Sequence, residues 1–101
     1  MNKYKIIVSE HFYSMMGSHI RFLMQISPEA SQKLKNKIIE AIKSLEQMPE
    51  RFPFFEAQFI PPNKYHKLSV KNWFIILFQI KNKTVYVDYI IDCRQDYKWL
   101  L

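Results

Sequence analysis

Glycine and cysteine each occur once in these 101 residues, as Gly17 and Cys93, and the two scarcities remove whole classes of function. A single glycine leaves no glycine-rich phosphate loop, so neither a P-loop nor a dinucleotide fingerprint is present and no nucleotide cofactor is expected. A single cysteine permits no internal disulfide and no cysteine-ligated metal, and gives no sign of an oxidising destination. Cys93 reads as a small buried hydrophobe near a strand end; the alternative, a reactive thiol beside Arg94, needs an electropositive and partly exposed setting. The three histidines, His11, His19 and His66, lack the close spacing to other donors that a metal site needs, so no metal is expected. His11 and His19 read as helix-surface residues. Long apolar runs are missing as well: none approaches the roughly 20 residues of a spanning helix. The opening MNKYKIIVSEH is interrupted by charge too early for a signal peptide. The expected location is the cytoplasm, away from membranes.

Apolar residues, by contrast, make up 49% of the chain and aromatics 16%. That is a core-forming composition, and the length suits one domain spanning 1–101. Fifteen Lys and Arg against nine Asp and Glu give a formal charge of +6. On so small a body this excess implies an anionic partner, with nucleic acid, an acidic protein segment and an anionic membrane surface as candidates, the last disfavoured by the missing apolar runs.

Tyr4 to Val8 is a β-branched run ending at Ser9, a helix cap followed by Glu10, which complements the helix dipole. In the helix that follows, Phe12, Met16, Ile20, Leu23 and Met24 form one apolar stripe, with Gly17 and Ser18 weakening its middle. Ser27 caps a second helix and Pro28 fits its first turn. Ala30, Leu34, Ile38, Ala41, Ile42, Leu45 and Met48 make its buried side, and Pro49 is the expected stop. The short connection makes the two helices an antiparallel hairpin. Lys33, Lys35, Lys37 and Lys43 share the outer side with Glu40 and Glu46, which reads as an ordinary solvated face.

The segment PERFPFFEAQFIPPN is a loop with aromatic anchors, because its prolines cannot sit in a central strand. Phe52, Phe54, Phe55 and Phe59 either cover one end of the core or form a surface that a partner covers. Lys64 to Val70, Trp73 to Ile80 and Thr84 to Ile91 then read as three strands joined at Lys71-Asn72 and Asn82-Lys83. On the middle strand both alternating sets are apolar, so it is covered on both sides. On the last strand, alternation sets Val85, Val87, Tyr89 and Ile91 against Tyr86, Asp88, Ile90 and Asp92, a core side against a more polar side. The fold class is therefore α+β: a strand, a helix hairpin and an antiparallel meander, with helices on one face of a four-stranded sheet.

This ordered combination, carried by SPEASQKLKNKIIEAIKSLEQMPERFP and YHKLSVKNWFIILFQIKNKTVYVDYIIDCRQDY, resembles the RelE/ParE superfamily of type II toxin–antitoxin toxins over nearly the whole chain. The resemblance implies a small toxin held in a hetero-oligomer by a cognate antitoxin. Its target would be either the ribosome, through mRNA cleavage by a metal-independent endoribonuclease, or DNA gyrase. A non-catalytic nucleic-acid- or ribosome-binding module of the same fold is the alternative.

RelE-like enzymes use sheet-borne cations with a C-terminal tyrosine or histidine, and the resemblance carries these roles to four residues. Lys67 supplies charge, Arg94 clamps the phosphate, and Tyr97 or His66 moves protons. Lys64, Lys67 and Lys71 make a basic strip along the first strand of the meander, with Tyr65 and Trp73 for base stacking. One departure counts against cleavage. Where RelE-like members carry an arginine on the middle strand, this chain reads Trp73-Phe74-Ile75-Ile76-Leu77-Phe78, with no cation. Its ending, CRQDYKWLL, looks more like the arginine, aspartate and tyrosine close of ParE-like members, where Asp96 and Tyr97 can instead seat the C-terminus.

Overall fold

Two serine caps set the first half of the molecule. In the computed structural model, which describes residues 3–58, 60–71 and 74–92, strand β1 (Lys5–Val8) leads through Ser9 into helix α1 (Glu10–Ile26). The Ser9 side chain accepts from the Phe12 amide at 2.9 Å. Ser27 does the same for the Ala30 amide at 3.2 Å, opening helix α2 (Pro28–Ser44). Each cap satisfies an amide that the first helical turn leaves without a partner, a contribution of about 1 kcal/mol.

Helix α1 runs unbroken through Gly17. Its inward positions are Phe12, Met15, Met16 and Leu23, of which Phe12 is fully buried, while Ile20 is half-buried. Met24, expected in this stripe, is exposed instead, since it lies one 100° step beyond Leu23 on the outward side. Ser31, buried in α2, donates its hydroxyl to the carbonyl of Ile20 at 3.2 Å, and this small residue lets the hairpin close tightly.

Helix α2 ends before Pro49 is reached. Ser44 turns its hydroxyl back to the Ala41 carbonyl at 2.6 Å, and the Leu45 amide bonds to the Ile42 carbonyl at 3.1 Å, tightening the last turn. Leu45 is the last core anchor. Met48, expected on the buried side, sits in a left-handed conformation with φ 46° and is exposed, because the chain turns away there into the short 3₁₀ turn Pro49–Arg51.

Strands β2 (His66–Val70), β3 (Phe74–Lys81) and β4 (Thr84–Asp92) form the meander, and β1 adds alongside β4 in parallel, giving a mixed sheet of order β1-β4-β3-β2. The expected fold class is the one observed. At the β3–β4 turn, Asn82 and Lys83 both adopt positive φ, 48° and 66°, the backbone that a two-residue hairpin turn demands and that glycine usually supplies at its second position. A lysine there costs roughly 1–2 kcal/mol of backbone strain.

Helices cover one face of the sheet. Phe74, Ile76 and Phe78 of β3, Val85, Val87 and Ile90 of β4 and Val70 of β2 join Phe12, Leu34, Ile38 and Leu45 in a single buried cluster. On the opposite face a smaller cluster gathers Ile75, Leu77, Ile91 and Tyr65 beneath Phe55 of the proline loop. The last strand departs from simple alternation. Its register against β3 shifts between Leu77 and Phe78, where Phe78 pairs with Val87 but Leu77 with Tyr89, leaving Asp88 as the extra residue of a bulge. Consequently Ile90 joins Val85 and Val87 on the helix side, while Tyr89 and Ile91 turn to the other face.

The unhelical face of the sheet as candidate functional site

The proline loop leaves this face only partly covered. Phe55 is 6% exposed, and its amide donates to the Tyr65 carbonyl at 2.7 Å. Phe54 forms an isolated bridge with His66, and the Lys67 amide donates to the Pro53 carbonyl at 2.9 Å. Phe55, Ala57 and Ile60 thereby pack onto Ile75 and Leu77 at the middle of the sheet. Of the loop's aromatics, Phe55 is core and Phe52 packs edge-on against Phe78 at 6.0 Å. Phe54 remains exposed, and Phe59 lies outside the described residues.

Beside that cover, Lys67, Leu77 and Tyr89 stand in one row across β2, β3 and β4. The rings of Tyr65 and Tyr89 meet edge to face at 5.7 Å, and His11 at the start of α1 meets Tyr89 at 5.2 Å. The bulge makes this possible, because without the extra residue Asp88 the Tyr89 ring would face the helices. Ser9 holds the bulge to the helix start: its amide donates to the Val87 carbonyl at 3.0 Å and its hydroxyl to the Asp88 carbonyl at 3.2 Å. One serine thus caps α1 and brings His11 to the sheet.

Asp88 accepts from the Gln79 side-chain amide at 2.9 Å. Burial pushes the Tyr65 phenol up to about 12, and the nearby Asp88 carboxylate and the Tyr89 hydroxyl add to the effect. Tyr65 is therefore a neutral hydrogen-bond donor at physiological pH. Lys64 sits with Nζ 5.5 Å from the centroid of the Tyr65 ring. The face offers flat aromatic surface, a neutral donor, one carboxylate and the half-buried Lys67.

The sequence-derived residues do not all gather here. Lys67 and Tyr65 lie on this face, with Lys64 at its rim. His66 does not: adjacent residues of a strand point to opposite sides, and its ring stacks on Phe78 at 5.2 Å while Nδ1 lies 2.8 Å from the Phe52 carbonyl. His66 and Lys67 thus point to opposite sides of the sheet, as strand alternation sets them. Lys71 stands at the far end of β2 with φ 54°, near Lys37 and Ser44 of α2, so Lys64, Lys67 and Lys71 do not form one compact strip. Arg94, Tyr97 and Trp73 lie outside the described residues, as do Cys93 and Asp96. His11 and Tyr89 are the residues that sequence reading passed over. Nothing in periodicity signals the bulge that joins them.

Among the described residues no group of three His, Cys, Asp or Glu side chains is placed to hold a metal ion, and no helix is long and apolar enough to cross a membrane.

The chain is similar to a solved structure of the chromosomal ParDE TA system from P. aeruginosa, with a TM-score of 0.74 and 18% sequence identity over 91% of this chain and 98% of that one. No family model matches the chain, and no curated protein matches it. At that identity the likeness concerns the fold.

Proposed function

We propose that the protein is the toxin of a type II toxin–antitoxin pair, neutralised by a cognate antitoxin, and that it acts by binding its target, DNA gyrase, rather than by cleaving RNA. The shared fold with a ParDE TA structure supports the first part. For the second, one observation carries the reading: Ile75 and Leu77, on the strand where RelE-like members carry an arginine, are 9% and 1% exposed beneath the proline loop. A scissile phosphate needs cations aimed at its developing charge, and the middle of this face presents buried hydrocarbon. In this reading Arg94 and Tyr97 belong to the ending of the chain that engages the target or seats the C-terminus.

Ribosome-dependent mRNA cleavage is the second reading, and the arrangement of Lys67, Tyr65, Tyr89 and His11 on one face favours it. There Lys67 and Arg94 would hold the phosphate, with Tyr97 or His11 in place of His66 as the proton carrier. Induced expression followed by two assays separates the readings. Gyrase-dependent DNA breaks with intact reporter mRNA are expected. Ribosome-associated cleavage of the reporter, lost in Arg94→Ala, would overturn the gyrase reading in favour of the nuclease.

A further inference from the structure

Helix α1 and strand β4 run side by side in the same direction. Ser9 bonds to Asp88, His11 meets Tyr89, and the His19 ring lies edge-on to Phe74 at 5.0 Å, where Phe74 pairs with Asp92. Asp92 is the last residue of the strand, whereas the helix continues to Ile26, about 10 Å beyond this last row of the sheet. Phe22 and Ile26 follow His19 by three and seven residues, hence on the same side of the helix, and they are 61% and 66% exposed. Neither belongs to a buried cluster, although Leu23 between them still packs against the helix-side core and anchors the overhanging turns.

Two large apolar side chains over the end of a sheet forgo the stabilisation that burial would bring. Glu10 and Arg21 are the only charged residues of α1, so this flank offers hydrocarbon and little electrostatic attraction. A separate partner needs roughly 800 Å² on each side of a stable interface, far more than two side chains present. A tethered segment needs much less, because its attachment holds it nearby at an effective concentration in the millimolar range. The chain supplies such a segment: residues 93–101 follow directly on Asp92, and they carry Tyr97, Trp99, Leu100 and Leu101. Its length spans about 14 Å as a helix and up to about 30 Å extended, so either form reaches Ile26. We infer that residues 93–101 dock on the overhanging end of α1, with Trp99 and Leu100 covering Phe22 and Ile26. The inference does not rest on the toxin reading and stands whether that reading holds or fails.

The test uses Trp99 as its own reporter. Trp73 is the other tryptophan, so in the full chain carrying Trp73→Phe the fluorescence comes from Trp99 alone. Its emission should lie to the blue of the urea-unfolded chain and be shielded from iodide, at low and high protein concentration alike. Adding Phe22→Lys/Ile26→Lys, both at exposed positions, should shift the emission to the red and admit iodide while the helical circular dichroism stays unchanged. A control, Tyr13→Lys/Met24→Lys, puts the same charge on the opposite flank of α1 and should leave the emission in place. A second measurement keeps Trp73: in Trp99→Ala/Leu100→Ala, amide hydrogen exchange over residues 22–26 should become roughly tenfold faster. Unfolded-like Trp99 emission, equal shifts in the two lysine pairs, or unchanged exchange would each overturn the proposal. Shielding that appears only at high concentration would give the flank to a second copy of the chain and overturn it as well.

Discussion

The two faces of the sheet are built from the same strands yet do different work. On the helix side, Phe12, Ile38, Leu45, Ile76, Phe78, Val85, Val87 and Ile90 are fully buried or nearly so and form one continuous cluster. On the other side the cover is a loop, and around it stand Tyr65, Lys67, Gln79, Asp88 and Tyr89 with their polar ends partnered by one another or left toward solvent. Both faces of β3 are apolar, so composition does not separate them. What separates them is regularity: an unbroken hairpin of helices against a proline loop and a bulged strand. Stability is concentrated where packing repeats, and chemical variety where it is interrupted.

The sharpest way to break this comparison is to remove one phenylalanine from each side. Phe78→Ala, in the helix-side core, should cost about 3–5 kcal/mol and leave little folded protein. Phe55→Ala should cost less, about 2 kcal/mol, because the loop can settle onto the vacated space and relieve the cavity. Urea denaturation of both variants checks the ordering, and equal costs would mean that the loop is as integral to the core as the helices.

A third substitution tests the joint between the faces. Ser9→Ala removes both the α1 cap and the hydroxyl bond to the bulge carbonyl, and should cost about 1–2 kcal/mol. In the same variant the contact between His11 and Tyr89 should loosen, read as a change in the His11 ring proton shifts by NMR. A stability loss with unchanged His11 signals would show that the cap acts on the helix alone.

The smallest effect concerns alkaline pH. Burial raises the Tyr65 phenol in the folded state to about 12, above its ordinary value of 10.0. Below about pH 10 both folded and unfolded chains keep this proton, and its full stabilising contribution is present. As pH rises from there toward the folded value, the unfolded chain releases the proton first and stability falls. Wild type should therefore lose more stability than Tyr65→Phe across that window, measured as the shift in urea midpoint. Identical losses would place Tyr65 in contact with water.

Much of the architecture was readable in particular residues. Ser9 and Ser27 announced the helix starts, and the alternation of Phe74, Ile76, Phe78 and Ile80 against Ile75 and Leu77 assigned both faces of β3 correctly. The errors share a cause, since each falls where the backbone departs from its period. Met24 and Met48 were placed inside by a helical count carried past the point where the helix faces the core or has ended. Tyr89 and Ile91 were placed with Val85 and Val87 because a one-residue bulge leaves no mark on an apolar and aromatic strand. The candidate site suffered most from this. Alternation already set His66 and Lys67 on opposite sides of their strand without saying which side faces Tyr89, and His11 was set aside as surface because only the Ser9–Asp88 contact brings it to Tyr89.

The proposal that this chain is a toxin is tested most directly by growth of a bacterial culture after induced expression of the chain, with and without co-expression of any short reading frame found adjacent to its gene. The account predicts arrest on induction and recovery when the neighbour is co-expressed. Undisturbed growth while folded protein accumulates in the cells would contradict it.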